Sequence, residues 1–154
     1  MSRALWLLLV LLLPALPAGA QAPQTVRVPD GNTIVIDDTP WRLWGIAAPE
    51  LYQNCDDGWQ AGQEAVRLLR SLIDGRAFSC EPRGKDRLGR VQLQCRSDGI
   101  DVGQTMIRSG VAWAVPGVYA AYTDQERSAR TERRGAHDHS CELPLSLQQA
   151  PRRR

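Results

Sequence analysis

The chain has 154 residues, with 19 lysines and arginines against 17 aspartates and glutamates, a formal net charge of +2. A balance so near neutral argues for no class of partner, and the length allows one ordinary domain with a modest core but not two. Lys85 is the only lysine, so the basic side is almost all arginine, the residue whose planar fork suits bidentate phosphate or carboxylate contacts.

Arg3, the apolar run Ala4 to Leu16 and the small-residue stretch Pro17-Ala18-Gly19-Ala20 have the order of a signal peptide over residues 1–20. A bilayer span takes about 20 apolar residues, more than this run supplies, and nothing later is apolar enough to span. The expected mature protein starts at Gln21, outside the cytoplasm, periplasmic or secreted.

Val26 to Val28 and Thr33 to Ile36 read as strands around the Asp30-Gly31-Asn32 turn, and Trp41 to Ile46 as a third strand broken at Ala48-Pro49. From Gly58 to Ile73 the apolar residues recur at helical period, with Gly75 as a stop. Ala77 to Glu81 and Arg90 to Cys95 alternate with period two, placing Arg90 opposite the Val91, Leu93 and Cys95 row. Asp101 can cap a helix running through Ser109, and Thr123 with Glu126 forms a capping-box pattern for a last helix to Arg134. The order βββαββαα predicts a mostly β domain with helices over residues 21–143: an OB-fold, a five-stranded barrel with three helices. Residues 144–154, ending Arg152-Arg153-Arg154, read as a disordered basic tail.

Four cysteines in an oxidising compartment read as two disulfides with three possible pairings. Cys80 and Cys95 lie on neighbouring strand-like runs, which favours Cys80–Cys95 with Cys55–Cys141. The segment His137-Asp138-His139-Ser140-Cys141 would offer zinc or copper a site only with Cys141 free.

Three segments then combine: Asp30-Gly31-Asn32-Thr33, Arg42-Leu43-Trp44-Gly45-Ile46-Ala47-Ala48-Pro49-Glu50 and Asp86-Arg87-Leu88-Gly89-Arg90. Together, in order and spacing, they resemble the thermonuclease family, the staphylococcal-nuclease-like domains, from about Val26 to Gly135. The resemblance implies an OB barrel in which calcium, an acid and two arginines cleave phosphodiesters. Arg42 and Arg90 match the arginines that hold the charged equatorial oxygens of the transition state, and Glu50 matches the carboxylate that orients or deprotonates the attacking water. The departures lie in the metal ligands. Asn32 and Ala47 stand where the family carries calcium-binding aspartates, and Ala48 stands where it has a threonine. Calcium takes about six to eight oxygens, largely from carboxylates, so no metal ligand is assigned here and calcium is expected only by resemblance.

Lys85 and Arg87 lie in the connection the family uses near its nucleotide, and Tyr119 or Tyr122 is a candidate for stacking on a base. Leu88 replaces a common tyrosine of the family. The expected function is an exported, monomeric thermonuclease-like protein that binds nucleic acid or another polyanion, with calcium-dependent hydrolysis lost or impaired. The alternatives are an active phosphodiesterase using Glu50 with a weak or different ion, and an envelope module that binds a protein partner.

Overall fold

The computed structural model describes residues 25–115 and 120–148. The segment read as a signal peptide, Tyr119 and residues 149–154 lie outside the described residues.

Three strands open the domain as an antiparallel meander: β1 (Val26–Asp30), β2 (Thr33–Ile36) and β3 (Thr39–Leu43). Asp37 and Asp38, both at positive φ (46° and 63°), make the second turn, the conformation in which a two-residue hairpin loop matches strand twist. The third strand is shorter than the expected run to Ile46, because Gly45 turns the chain at φ 75°. Ile46–Ala47 is a separate strand, β4, paired with β8 (Trp113–Ala114) in a small second sheet.

Helix α1 (Ala61–Ile73) starts three residues later than the periodicity predicts. Residues 58–60 lie before it in the loop, where the Cys55 amide bonds back to the Trp59 carbonyl. Its buried residues Ala61, Ala65, Leu69 and Ile73 recur every four positions, a stripe one helix face wide. The antiparallel pair β5 (Phe78–Lys85) and β6 (Val91–Ser97) follows. Two-residue β7 (Ile100–Asp101) then turns back along β6.

Helix α2 (Val102–Arg108) has the expected cap: the Asp101 carboxylate accepts from the Gln104 amide at 2.9 Å. Helix α3 spans Ala120–Thr131, so Thr123 lies within it rather than capping it. Glu126 is no capping-box partner either, since its carboxylate accepts from the Ala114 amide at 2.8 Å and pairs with Arg130. A 3-10 turn at Gly135–His137 follows, and part of the segment read as a tail is described: Pro144 is buried and Leu145–Gln148 forms a short helix, α4.

The strands join in the order β1-β2-β3-β6-β5, with β7 beside β6. The β3–β6 pair is parallel, as the crossover through α1 requires, and the others are antiparallel. This mixed sheet with helices fits the expected OB-like class; among the described residues no strand pair closes it into a barrel. Ile34, Leu43, Leu69, Val102, Met106, Ile107 and Tyr122 fill one core.

Both disulfides form as expected: Cys80–Cys95 joins directly opposed residues of β5 and β6, and Cys55–Cys141 joins residues 86 apart in sequence. The longer loop constrains the unfolded chain more, by on the order of 4–5 kcal/mol in the loop-entropy model against about 3 for the shorter one. Among the described residues, no helix is long and apolar enough to cross a membrane.

Candidate functional site

Arg42 lies near the end of β3, opposite Thr33 of β2, and its guanidinium donates to the Thr33 hydroxyl at 3.1 Å. Asp30 approaches the same guanidinium at 3.9 Å, too far for a direct hydrogen bond, while accepting the Asn32 amide at 2.7 Å. Burial lowers the pKa of Arg42, and the positive charge of Arg90 lowers it further; Asp30, Glu50 and Asp86 act in the opposite direction. Four charged groups from three segments, Asp86 and Arg90 sharing one turn, thus act on the Arg42 side chain. The structure brings Arg42, Glu50 and Arg90 into one electrostatic neighbourhood.

Arg90 is aimed by its own turn. The Asp86 carboxylate accepts the Leu88 and Arg90 amides, each at 2.9 Å, and the Arg90 Nε at 2.6 Å. Gly89, at φ 76°, allows the chain to close this loop. Burial works to raise the Asp86 pKa, but the hydrogen bonds and the charge of Arg90 outweigh it and hold the carboxyl below its usual value. Lys85, at the end of β5, and Arg87, in the turn, are both exposed beside it.

Asn32 is only 2 % exposed and is bound wholly to protein. Its amide nitrogen donates to the Ala48 carbonyl at 2.9 Å, and its side-chain oxygen accepts the Ala48 amide at 2.6 Å. This two-way bridge needs a donor and an acceptor on one side chain, which an amide has and a carboxylate lacks. Ala47 and Ala48 are themselves buried, and a Cβ on Gly31 would meet Ala48 and Ala65 side chains at 2.8 and 2.7 Å. The turn therefore packs on α1 through small residues.

Glu50 is exposed, and among the described residues its carboxylate has no hydrogen-bond or ion-pair partner. Its backbone is tied down: the Gln53 side chain accepts the Glu50 amide at 3.1 Å, and the Gln53 amide donates to the Glu50 carbonyl at 2.8 Å. Helix α1 approaches the loop so closely at Gly62 that a Cβ there would lie 1.9 Å from the Glu50 carbonyl oxygen.

Other expected site features are placed elsewhere. Tyr119 lies outside the described residues. Tyr122 is no stacking platform: it is 1 % exposed, and its hydroxyl donates to Asp101 at 2.6 Å. The His137–Cys141 tract is no metal site, since Cys141 is in a disulfide, His137 packs edge-on against Trp113, and His139 stacks on Trp59 and pairs with Asp57 at 2.6 Å. Among the described residues no group of three or more His, Cys, Asp or Glu side chains is arranged to hold a metal ion.

The roles of Thr33, Gln53 and Asp86 were not singled out from sequence. An aspartate followed by Arg-Leu-Gly-Arg signals the Asp86 turn locally, whereas nothing near Gln53 marks it as Glu50's partner.

The family model described as staphylococcal nuclease homologue matches residues 40–138. An "Uncharacterized endonuclease" of Escherichia coli is 33% identical over 132 residues, 79% of this chain and 80% of the relative. The "Succinoglycan biosynthesis protein ExoI" of Rhizobium meliloti (strain 1021) is 35% identical over 119 residues, 72% of this chain and 62% of that protein. The "Probable staphylococcal-like nuclease CAN1" of Oryza sativa subsp. japonica is 30% identical over 92 residues, 60% of this chain and 25% of the relative.

Proposed function

This chain belongs to the staphylococcal nuclease family, and from that premise we propose that it is an exported protein that binds polynucleotide phosphates through Arg42 and Arg90, with calcium-dependent hydrolysis impaired. The observation that carries the reading is the pairing of like charges. Arg42 is held partly buried, and the positive charge of Arg90 adds to the burial that disfavours its charged form, against the pull of Asp30, Glu50 and Asp86, so that a further anion beside it is favoured. A phosphodiester is such an anion, and planar guanidiniums grip its oxygens in pairs. Two disulfides are compatible with the oxidising compartment that export implies.

Calcium does not fit the donor set. Asn32 spends both side-chain heteroatoms on Ala48, Ala47 offers no donor, and Asp86 is committed to Arg90. Asp30 and Glu50 remain, well short of the about six to eight oxygens the ion takes. The decisive experiment is anisotropy titration of a labelled single-stranded oligonucleotide across ionic strength. Arg42→Ala with Arg90→Ala is expected to weaken binding and flatten the salt slope by about two phosphates' worth. No binding at low salt, or an unchanged slope, overturns the proposal.

A second reading, metal-flexible hydrolysis, draws on the exposed Glu50 carboxylate, whose charge acts on Arg42, and on the endonuclease name of the Escherichia coli relative. Cleavage assays with calcium, magnesium, manganese and zinc decide it, and activity that survives Glu50→Ala counts against it.

A further inference from the structure

The loop that carries Glu50 is bound along its length to one distant segment, His139 to Glu142. Cys55 bonds covalently to Cys141. The Asp56 amide donates to the Ser140 carbonyl at 2.9 Å, and Asp57 pairs with His139 at 2.6 Å. The Trp59 and His139 rings stack 4.6 Å apart and 7° from parallel. The Gln53 Nε2 donates to the Glu142 carbonyl at 2.8 Å.

Gln53 is where this clamp meets the site. One end of its amide holds the Glu142 carbonyl, and the other accepts the backbone N–H of Glu50. Its main chain works in the same direction, donating to the Glu50 carbonyl and accepting the Gly62 amide of α1 at 3.1 Å. Leu51 packs inward on the core, while Tyr52, the next residue, is 82% exposed. The turn is thus anchored from beneath and from the C-terminal segment, with Glu50 on its open side.

We propose that Gln53 is a positioning residue for Glu50 and that the Cys55–Cys141 disulfide makes this positioning dependent on redox state. The inference rests on the polyanion-binding reading of the site only in its choice of readout. With the disulfide formed, the backbone that carries the Glu50 carboxylate is fixed where its charge acts on Arg42. With both cysteines reduced, the segment bearing Glu142 is no longer covalently tied, and Glu50 samples positions away from the arginines. The bond forms by thiol–disulfide exchange: the two thiols of this chain are oxidised to one disulfide while a donor protein disulfide is reduced to its dithiol. The chain therefore carries a loosely organised site before oxidation and an organised one after it.

The test uses the effect of Glu50→Gln on oligonucleotide affinity, measured in chelator so that no hydrolysis enters. A carboxylate held near Arg42 opposes a bound phosphate by about 1 kcal/mol, so its neutralisation is expected to tighten binding about fivefold in the oxidised protein. In a Gln53→Ala background, and in a Cys55→Ser with Cys141→Ser background, that ratio is expected to fall toward one. Binding through Arg42 is expected to persist in both. Cys80→Ser with Cys95→Ser serves as the control and is expected to keep the full ratio. Chymotrypsin cleavage after Tyr52 is expected to speed up in the first two backgrounds and not in the control. If the cysteine pair variant does not fold, Gln53→Ala with its disulfides intact decides the matter. An undiminished Glu50→Gln ratio in Gln53→Ala overturns the proposal while leaving the arginine site standing, whereas failure of the oxidised wild type to bind at all overturns the function reading instead.

Discussion

Asn32→Asp changes one atom and tests the account of the turn directly. Asn32 is 2 % exposed, and its two hydrogen bonds to Ala48 are 2.9 and 2.6 Å long. The substitution keeps the acceptor but sets a carboxylate oxygen against the Ala48 carbonyl where a donor stood. A buried acceptor left without its partner costs about 1–3 kcal/mol, and a desolvated carboxylate adds more, partly offset by the nearby guanidinium of Arg42. The net loss is about 2–4 kcal/mol, or roughly 6–20 °C in Tm for a domain of this size. Thermal unfolding followed by circular dichroism in chelator measures it. A variant within 1 °C (about 0.3 kcal/mol) of wild type would refute the bridge as a structural element. Adding Ala47→Asp supplies a second carboxylate, and the double variant is expected to gain Tm on addition of calcium through binding linkage. Wild type is expected to gain none, and an equal gain in wild type would refute the reading of the donor set.

Gly31→Ala drives a methyl against Ala48 and Ala65 at 2.8 and 2.7 Å and is expected to cost about 1–3 kcal/mol in chemical unfolding. Asp86→Ala removes the carboxylate that holds both the backbone and the guanidinium of Arg90. It is expected to weaken oligonucleotide binding severalfold, although it removes a negative charge; tighter binding would show that Asp86 acts by charge alone. His137 is partly buried with its Nε2 unpaired, and its pKa is lowered by burial and then by Arg130, against the pull of Glu126. The unfolded chain therefore binds the proton more readily, so stability is whole above the unfolded value of about 6.5 and declines as pH falls from there toward the folded value. His137→Phe is expected to flatten that decline in denaturant titrations at a series of pH values. The Asp57 carboxyl, held below its usual value first by its hydrogen bond to His139, contributes stability that is lost only at much lower pH, as its own folded pKa is passed.

Much of the architecture was legible from residues close together in the chain. Asp101 caps α2 through an amide three residues on, the buried residues of α1 recur every four positions, and opposed cysteines on adjoining strands pair across them. Each depends on contacts whose partners follow from local period or turn geometry. The three strand-end segments at Asp30, Arg42 and Asp86 identified the family for the same reason, since turns constrain short stretches of sequence strongly.

Tertiary structure alone decided what the site residues are engaged with. Asn32 binds Ala48 at 16 residues' distance, Glu126 caps Ala114 rather than its own helix, Tyr122 reaches Asp101 across 21 residues, and Gln53 meets Glu142 across 89. A side-chain amide, carboxylate or phenol has the same local signature whether it faces solvent or a buried partner. Its role is set by which distant backbone group folding brings within about 3 Å of it. The sequence by itself determined which charged groups this fold has to work with. Only the packed structure determined that Arg42 and Arg90 share one field while Asn32 is spent holding the turn beside them.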